Sequence, residues 1–367
     1  MNRHEKTCKG NVHYIYPGGV YHTKKTVFEE LEDEGIPVPQ EDRYYPYRAT
    51  YDIETMFKPA EKARSAKLEW VNQHALMSIS VSSNVPDFEE PKCFVVGDCP
   101  NVVESCLEYL NDISRAAYIL MLGRYGAVFQ QIEAVIDEDL KDLTPEEREK
   151  KEKGHYMYQL GQKLSRHILE LPVVGFNSGK YDIPAMKIDF FAHLANRNLV
   201  KYAVKRNNTF MAVKTENLKF LDITNYLAPG FSYSQFLKAY KCAEEKGFFP
   251  YEWMTSLEKL EARELPPHEA FFSKLKNENI SEEEYRYCQE VFREKEMTTM
   301  KEFLVWYNNK DVQPMLKAIE KMFDYYQSCG IVMFKDEISV PGLTLKYMFK
   351  DLPVYLTLVD EKNKDVH

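Results

Sequence analysis

The chain has 367 residues, 44% hydrophobic and 29% charged, which is apolar mass enough for two or three domains or one large domain with insertions. Its net charge of −9 excludes a wholly basic, histone-like binder of nucleic acid, but not an enzyme that gathers acids around cations and keeps a local basic groove. Seven cysteines without a CxxC pair imply reduced thiols rather than a disulfide framework.

The start, "MNRHEKTCKG", has no apolar signal core, and no run approaches the roughly 18 apolar residues of a membrane span. An intracellular protein, nuclear or cytoplasmic, with no membrane partner is expected. Residues 9–46 read as an extended lead-in carrying one short helix at "TVFEELEDEG" (26–35). "YRATYDIE" (47–54), "ALMSISVSS" (75–83) and "KCFVVGD" (92–98) predict neighbouring strands. The period then lengthens: a helix is predicted over 102–136, and "TPEE" (144–147) opens a second over 148–171. "LPVVGFN" (171–177) predicts a strand that turns into an amphipathic helix over 178–197. "TFMAVKTENLKFLDI" (209–223) predicts a hairpin turning at "TEN", and the rest to about residue 335 reads as helical, with loops at 228–232, 248–253 and 264–269. Strands followed by strands mixed with helices imply an α/β domain with a mixed sheet flanked by helices.

In a strand Asp52 and Glu54 share a face while Ile53 turns to the other. Two carboxylates that close are unfavourable unless a cation or a proton neutralises them, and hard divalent cations take oxygen ligands. Two further acidic stretches stand out, "NSGKYD" (177–182) and "YNNKD" (307–311), the latter with Tyr307 one helical turn from Asp311. Singly each is weak, since a D-x-E also reads as a solvated strand end. Asp222 reads as a strand-to-helix cap. His155, His167 and His193 have no ligand spacing.

Together and in this order, "DIET", "NSGKYD" and "YNNKD" resemble the Exo I, Exo II and Exo III motifs of the proofreading 3′-5′ exonuclease domain of family B DNA polymerases. "GFNSGKYDI", "KGFF" (246–249), "FLDITNYLAPG", "FPYEWM" and "WYNNKDV" look like the protein-primed subfamily of viruses, organellar plasmids and Polinton or Maverick transposons. The resemblance implies a ribonuclease H-like (DnaQ-like) fold with helical insertions. It also implies two-metal hydrolysis of 3′-terminal nucleotides from single-stranded DNA, with two Mg²⁺ (or Mn²⁺) ions held by Asp52, Glu54, Asp182 and Asp311. Such ions activate the water and stabilise the leaving oxygen. Tyr307 would orient the water and Lys246 approach the scissile phosphate. Thr55, Asn177 and Tyr181 would grip the single-stranded 3′ end. On their own residues, Asn177 and Gly179 also read as a turn, Tyr181 as core, and Lys246 as a helix cap. Ile223 and Thr224 depart from the subfamily, which has a hydroxyl residue and Leu there.

The domain reading that follows is a C₂HC zinc-finger remnant over 1–8, with His4 and Cys8; the lead-in, 9–46; the exonuclease domain, 47–320; and a truncated start of the polymerase domain, 321–367. Polymerase motifs of the Dx₂SLYP, Kx₃NSxYG and YxDTDS kind do not occur, so no polymerisation is expected of this chain alone. A terminal protein or a separate polymerase is the implied partner. The alternative is a catalytically inactive, transposon-derived DNA-binding remnant.

Overall fold

The computed structural model describes residues 25–59, 64–65, 68–69, 72–196, 199–242 and 247–350. Its strands are β1 (Ala49–Pro59), β2 (Arg64–Ser65), β3 (Leu68–Glu69), β4 (Asn72–Ser83), β5 (Lys92–Val95), β6 (Leu171–Gly175), β7 (Tyr202–Arg206), β8 (Thr209–Lys214) and β9 (Leu218–Asp222). Its helices are α1 (Val27–Asp33), α2 (Val102–Asp139), α3 (Pro145–Glu152), α4 (Tyr156–Leu169), α5 (Asp182–Asn196), α6 (Tyr233–Ala239), α7 (Glu282–Glu294), α8 (Met300–Ser328), α9 (Met333–Asp336) and α10 (Val340–Lys350). The zinc-finger expectation for 1–8, Lys246 and residues 351–367 lie outside the described residues.

Seven strands form one sheet in the order β5-β4-β1-β6-β9-β8-β7, and β2 pairs only with β3. β1 runs parallel to β6 and β6 to β9, while the remaining neighbours are antiparallel. The fold is therefore α/β with a mixed sheet, consistent with a ribonuclease H-like fold. β6 and β9 are buried along their whole length, as central parallel strands covered on both faces are, and this accounts for the unbroken apolar run of β6. On one face Ile53, Ile79 and Val81 pack against Leu107 and Leu110 of α2 and Phe190 of α5. On the other, Val174 and Leu221 meet Ile319 and Met322 of α8, with Phe334 and Leu343 behind them. The insertion between β5 and β6 has its own core, where Tyr125 and Ile132 of α2 pack with Leu160 and Leu164 of α4 and with Phe28 and Leu31 of α1.

Three stretches differ from expectation. The helix expected over 148–171 is two: α3 carries no buried residue and ends at Glu152, and after a turn at Lys153 and Gly154 α4 starts with His155 as its cap, the ring Nδ1 accepting from the Met157 amide at 3.2 Å. β7 was not expected because it is an edge strand, mostly exposed, with no apolar alternation to reveal it. Between α6 and α7 the described residues form 3₁₀ turns and one isolated bridge, Ser273 to Glu278, but no α-helix, since Pro250, Pro266 and Pro267 interrupt any longer helix. No helix among the described residues is long and apolar enough to cross a membrane, and the six described cysteines are free thiols.

Candidate metal centre

β1 supplies the first acids. It pairs with β4 residue for residue from Ala49 opposite Ser83 to Glu54 opposite Ser78; Thr55 then opposes Leu76, so Met77 is an extra residue on β4. Such a bulge sharpens the local twist and re-aims the side chains beyond it. Before it, Ile53 is 4% exposed in the core, and Asp52 and Glu54 share the opposite face, as the alternation predicts. Serines stand opposite both acids, Ser80 facing Asp52 and Ser78 facing Glu54, and keep that face small and polar.

α8 brings the third acid across this face. Pro314 sits inside the helix, where it has no N–H to donate to the preceding turn. The stretch just before it is tied down by other hydroxyls. Thr50 Oγ1 donates to the Val312 carbonyl at 2.9 Å, Tyr233 donates to the Asp311 carbonyl, and Ser80 donates to the Asn309 side chain at 2.9 Å. Asp52, Glu54 and Asp311 consequently offer one carboxylate oxygen each, all within 4.8 Å of one another. Glu54 is buried and the two aspartates half-buried.

Asp182 opens α5 and is 3% exposed; its Oδ2 has no hydrogen-bond partner. It is not one of the three acids that converge within 4.8 Å, but its charge acts on Asp52. Burial and the neighbouring Asp182, Asp311 and Glu54 carboxylates push Asp52 well above the usual aspartate range. Burial and then Asp222 push Asp182 up as well. Such a pocket takes up either protons or cations. All its donors are hard oxygens and one buried carboxylate oxygen is unpartnered, so the residues present fit a divalent cation.

Two tyrosines close the centre. Tyr251 donates to Glu54 Oε2 at 2.7 Å, and its hydroxyl lies 3.2 Å from that of Tyr307. Burial, then the Glu54 charge, raises both phenols well above the usual range, so both are neutral hydroxyls at ordinary pH. Tyr307 is held among Phe249, Tyr251 and Gly247, where a Cβ on Gly247 would come within 2.8 Å of the Tyr307 ring. Tyr251 was not singled out from the sequence: "FPYEWM" marks the segment, but no spacing links it to Glu54, 197 positions away.

The turn after β6 is set by Asp222. Its carboxylate accepts from the amides of Asn177 (3.0 Å), Gly179 (3.1 Å) and Thr224 (2.9 Å) and from the Thr224 hydroxyl (2.7 Å). It caps the 3₁₀ turn after β9, as expected, and also holds the neighbouring loop. Asn177 adopts φ 57°, a left-handed conformation that asparagine tolerates, and is exposed. Gly179 is required by close approach, since a Cβ would lie 1.8 Å from the Phe210 carbonyl. Past the turn, Tyr181 is 36% exposed and its hydroxyl lies 2.6 Å from that of Thr55. Ile223 is fully buried and the Thr224 hydroxyl is committed to Asp222.

No protein-family profile matches this sequence, and no curated protein matches it. Among solved structures, the chain aligns with phi29 DNA polymerase complexed with primer-template DNA and incoming nucleotide substrates, at 10% identity and a TM-score of 0.35. The alignment covers 82% of this chain and 33% of that one, so the chain spans about a third of that polymerase's length.

Proposed function

We propose that this chain is a metal-dependent 3′-5′ exonuclease acting on single-stranded DNA ends, the proofreading portion of a protein-primed family B DNA polymerase, with residues 47–320 as the nuclease body. One observation carries the reading: Asp311, more than 250 positions from Asp52 and Glu54, comes within 4.8 Å of both, in a pocket of hard oxygen donors. Asp52, Glu54, Asp311 and Asp182 would hold two Mg²⁺ or Mn²⁺ ions, which supply Lewis-acid activation of water and stabilisation of the leaving 3′ oxygen. The remaining roles belong to the chain itself. Tyr307, neutral and beside Tyr251, would orient a water by hydrogen bonding rather than remove its proton. Tyr251 holds the Glu54 carboxylate in one orientation. The exposed Asn177 amide, Thr55 and the Tyr181 ring are the groups proposed to hold the strand end, and Lys246 the cation beside the scissile phosphate.

The test is hydrolysis of a 5′-labelled single strand with Mg²⁺ or Mn²⁺ by the wild type and by Asp52→Ala. Stepwise shortening by the wild type alone supports the reading. A strand left intact by both leaves the catalytically inactive, DNA-binding remnant as the surviving interpretation.

A further inference from the structure

Beyond the bulge, β1 and β4 place Phe57 directly opposite His74, with ring centroids 5.1 Å apart. The exposed His74 ring stands perpendicular to Tyr181 at 5.3 Å. Three polar atoms meet there. His74 Nδ1 is 2.8 Å from the Tyr181 hydroxyl and 3.0 Å from Thr55 Oγ1, and the two hydroxyls are 2.6 Å apart. With Nδ1 bare, Tyr181 donates to it and receives from Thr55; with Nδ1 protonated, the imidazole donates into the hydroxyl pair. Either way the phenol oxygen stays tied to the protein. What Tyr181 offers a ligand is therefore its ring, fixed in direction by His74 and lying next in sequence to Asp182. A half-exposed, immobilised aromatic face beside a phosphodiester-cleaving centre suits the π-face of an unpaired base.

We propose that His74 is a positioning residue for single-strand binding: together with Phe57 it braces the Tyr181 ring so that the unpaired 3′-terminal base stacks on it. The inference rests on the exonuclease reading for its substrate class. No acidic motif includes His74, and nothing in the spacing of the chain links it to Tyr181, 107 positions away.

The experiment compares steady-state hydrolysis of a single-stranded oligonucleotide ending in a normal nucleotide with one ending in an abasic residue. His74→Ala is expected to raise KM on the normal strand about five- to fiftyfold, with kcat within about twofold. On the abasic strand that loss should vanish, because there is no base to stack. His74→Asn, whose side-chain oxygen can accept the Tyr181 proton where Nδ1 does, should recover KM to within about threefold. Tyr181→Ala should reproduce the base-dependent loss. Equal losses on the two strands, or none, would overturn the proposal while leaving the nuclease assignment standing. If the wild type cleaves neither strand, the nuclease assignment fails. Fluorescence anisotropy with the same oligonucleotides then decides, since a base-dependent affinity that His74→Ala abolishes retains the inference and its absence ends it.

Discussion

Neutralising Asp52 should stabilise the protein while abolishing catalysis. Three carboxylate oxygens within 4.8 Å repel one another by about 3.5 kcal/mol per fully ionised pair at an effective dielectric of about 20. Asp52 relieves part of that by holding a proton, its pKa being raised by burial and by the surrounding acids, and solvent around the half-buried Asp52 and Asp311 screens more. Asp52→Asn is thus expected to gain about 1–3 kcal/mol in chelator at pH 8. The sign follows from the direction of the shift. An acid whose folded pKa lies above its unfolded value contributes stability below the usual aspartate range, near 3.9, and loses it as pH rises through the raised value. The advantage of Asp52→Asn should therefore grow from pH 4 upward and then level off. Mn²⁺ should reverse the order, because a cation at about 1,000 times its Kd adds about 4.1 kcal/mol to the wild type and much less to the variant. Urea unfolding at pH 5 and 8, with chelator or Mn²⁺, reads all four states. A variant no more stable than the wild type in chelator, or equal stabilisation of both by Mn²⁺, refutes a strained cation pocket.

Tyr251→Phe removes a hydroxyl bonded to a carboxylate, an interaction of about 1.5–3 kcal/mol, so kcat should fall about ten- to a hundredfold with the fold retained; an unchanged kcat removes Tyr251 from the site. Asp222→Asn turns an amide NH₂ toward one of the two loop amides that the carboxylate now accepts, and the urea midpoint should report a loss of about 2–3 kcal/mol. Wild-type stability after that exchange would mean the loop is held otherwise. Burial pushes Glu170 up, but Lys335, Lys219 and Lys214 outweigh it and hold it at about 2, while burial with Lys335 nearby holds His167 at about 3. Both are depressed, so their contribution is full above the ordinary values near 4.5 and 6.5 and is lost as pH falls toward 2–3. Urea midpoints should fall steadily from pH 6.5 downward, and Glu170→Gln, which removes the carboxylate the three lysines share, should cost about 3–5 kcal/mol at pH 7.

What could be read from the sequence was what depends on near neighbours. The shared face of Asp52 and Glu54 follows from the two-residue strand period, the placement of Asp182 at the start of α5 from an apolar strand running into a turn, and the common face of Tyr307 and Asp311 from the helical turn. The contacts that fix the centre are long-range hydroxyl bonds: Thr50 to Val312, Tyr251 to Glu54, Tyr181 to His74. They leave no periodic trace, because a tyrosine that reaches a carboxylate across the fold has the same local pattern as one in the core. Asp222 was legible as a cap and not as the anchor of the Asn177 turn, since capping is local and its bonds to Asn177 and Gly179 cross 45 and 43 positions.

Four departures from local regularity fall around one place. β4 carries an extra residue at Met77, opposite the Glu54–Thr55 step; α8 carries Pro314 three residues after Asp311; Asn177 takes a left-handed conformation; and Asp182 buries an unpartnered oxygen. Each is locally unfavourable, and the hydroxyl bonds to the Asp311 and Val312 carbonyls and the Asp222 bonds to the turn are what hold two of these elements, α8 and the Asn177 turn, in position. A sheet selected for stability alone would have a straight β1–β4 register and apolar residues where the four acids stand, because neutral packing avoids their mutual repulsion. The compensation for that repulsion has to come from outside the chain. A divalent cation would supply it in a form that accounts for the convergence of Asp52, Glu54 and Asp311 and for the polar groups that support them, and that is the physical basis on which phosphodiester chemistry is proposed for this centre.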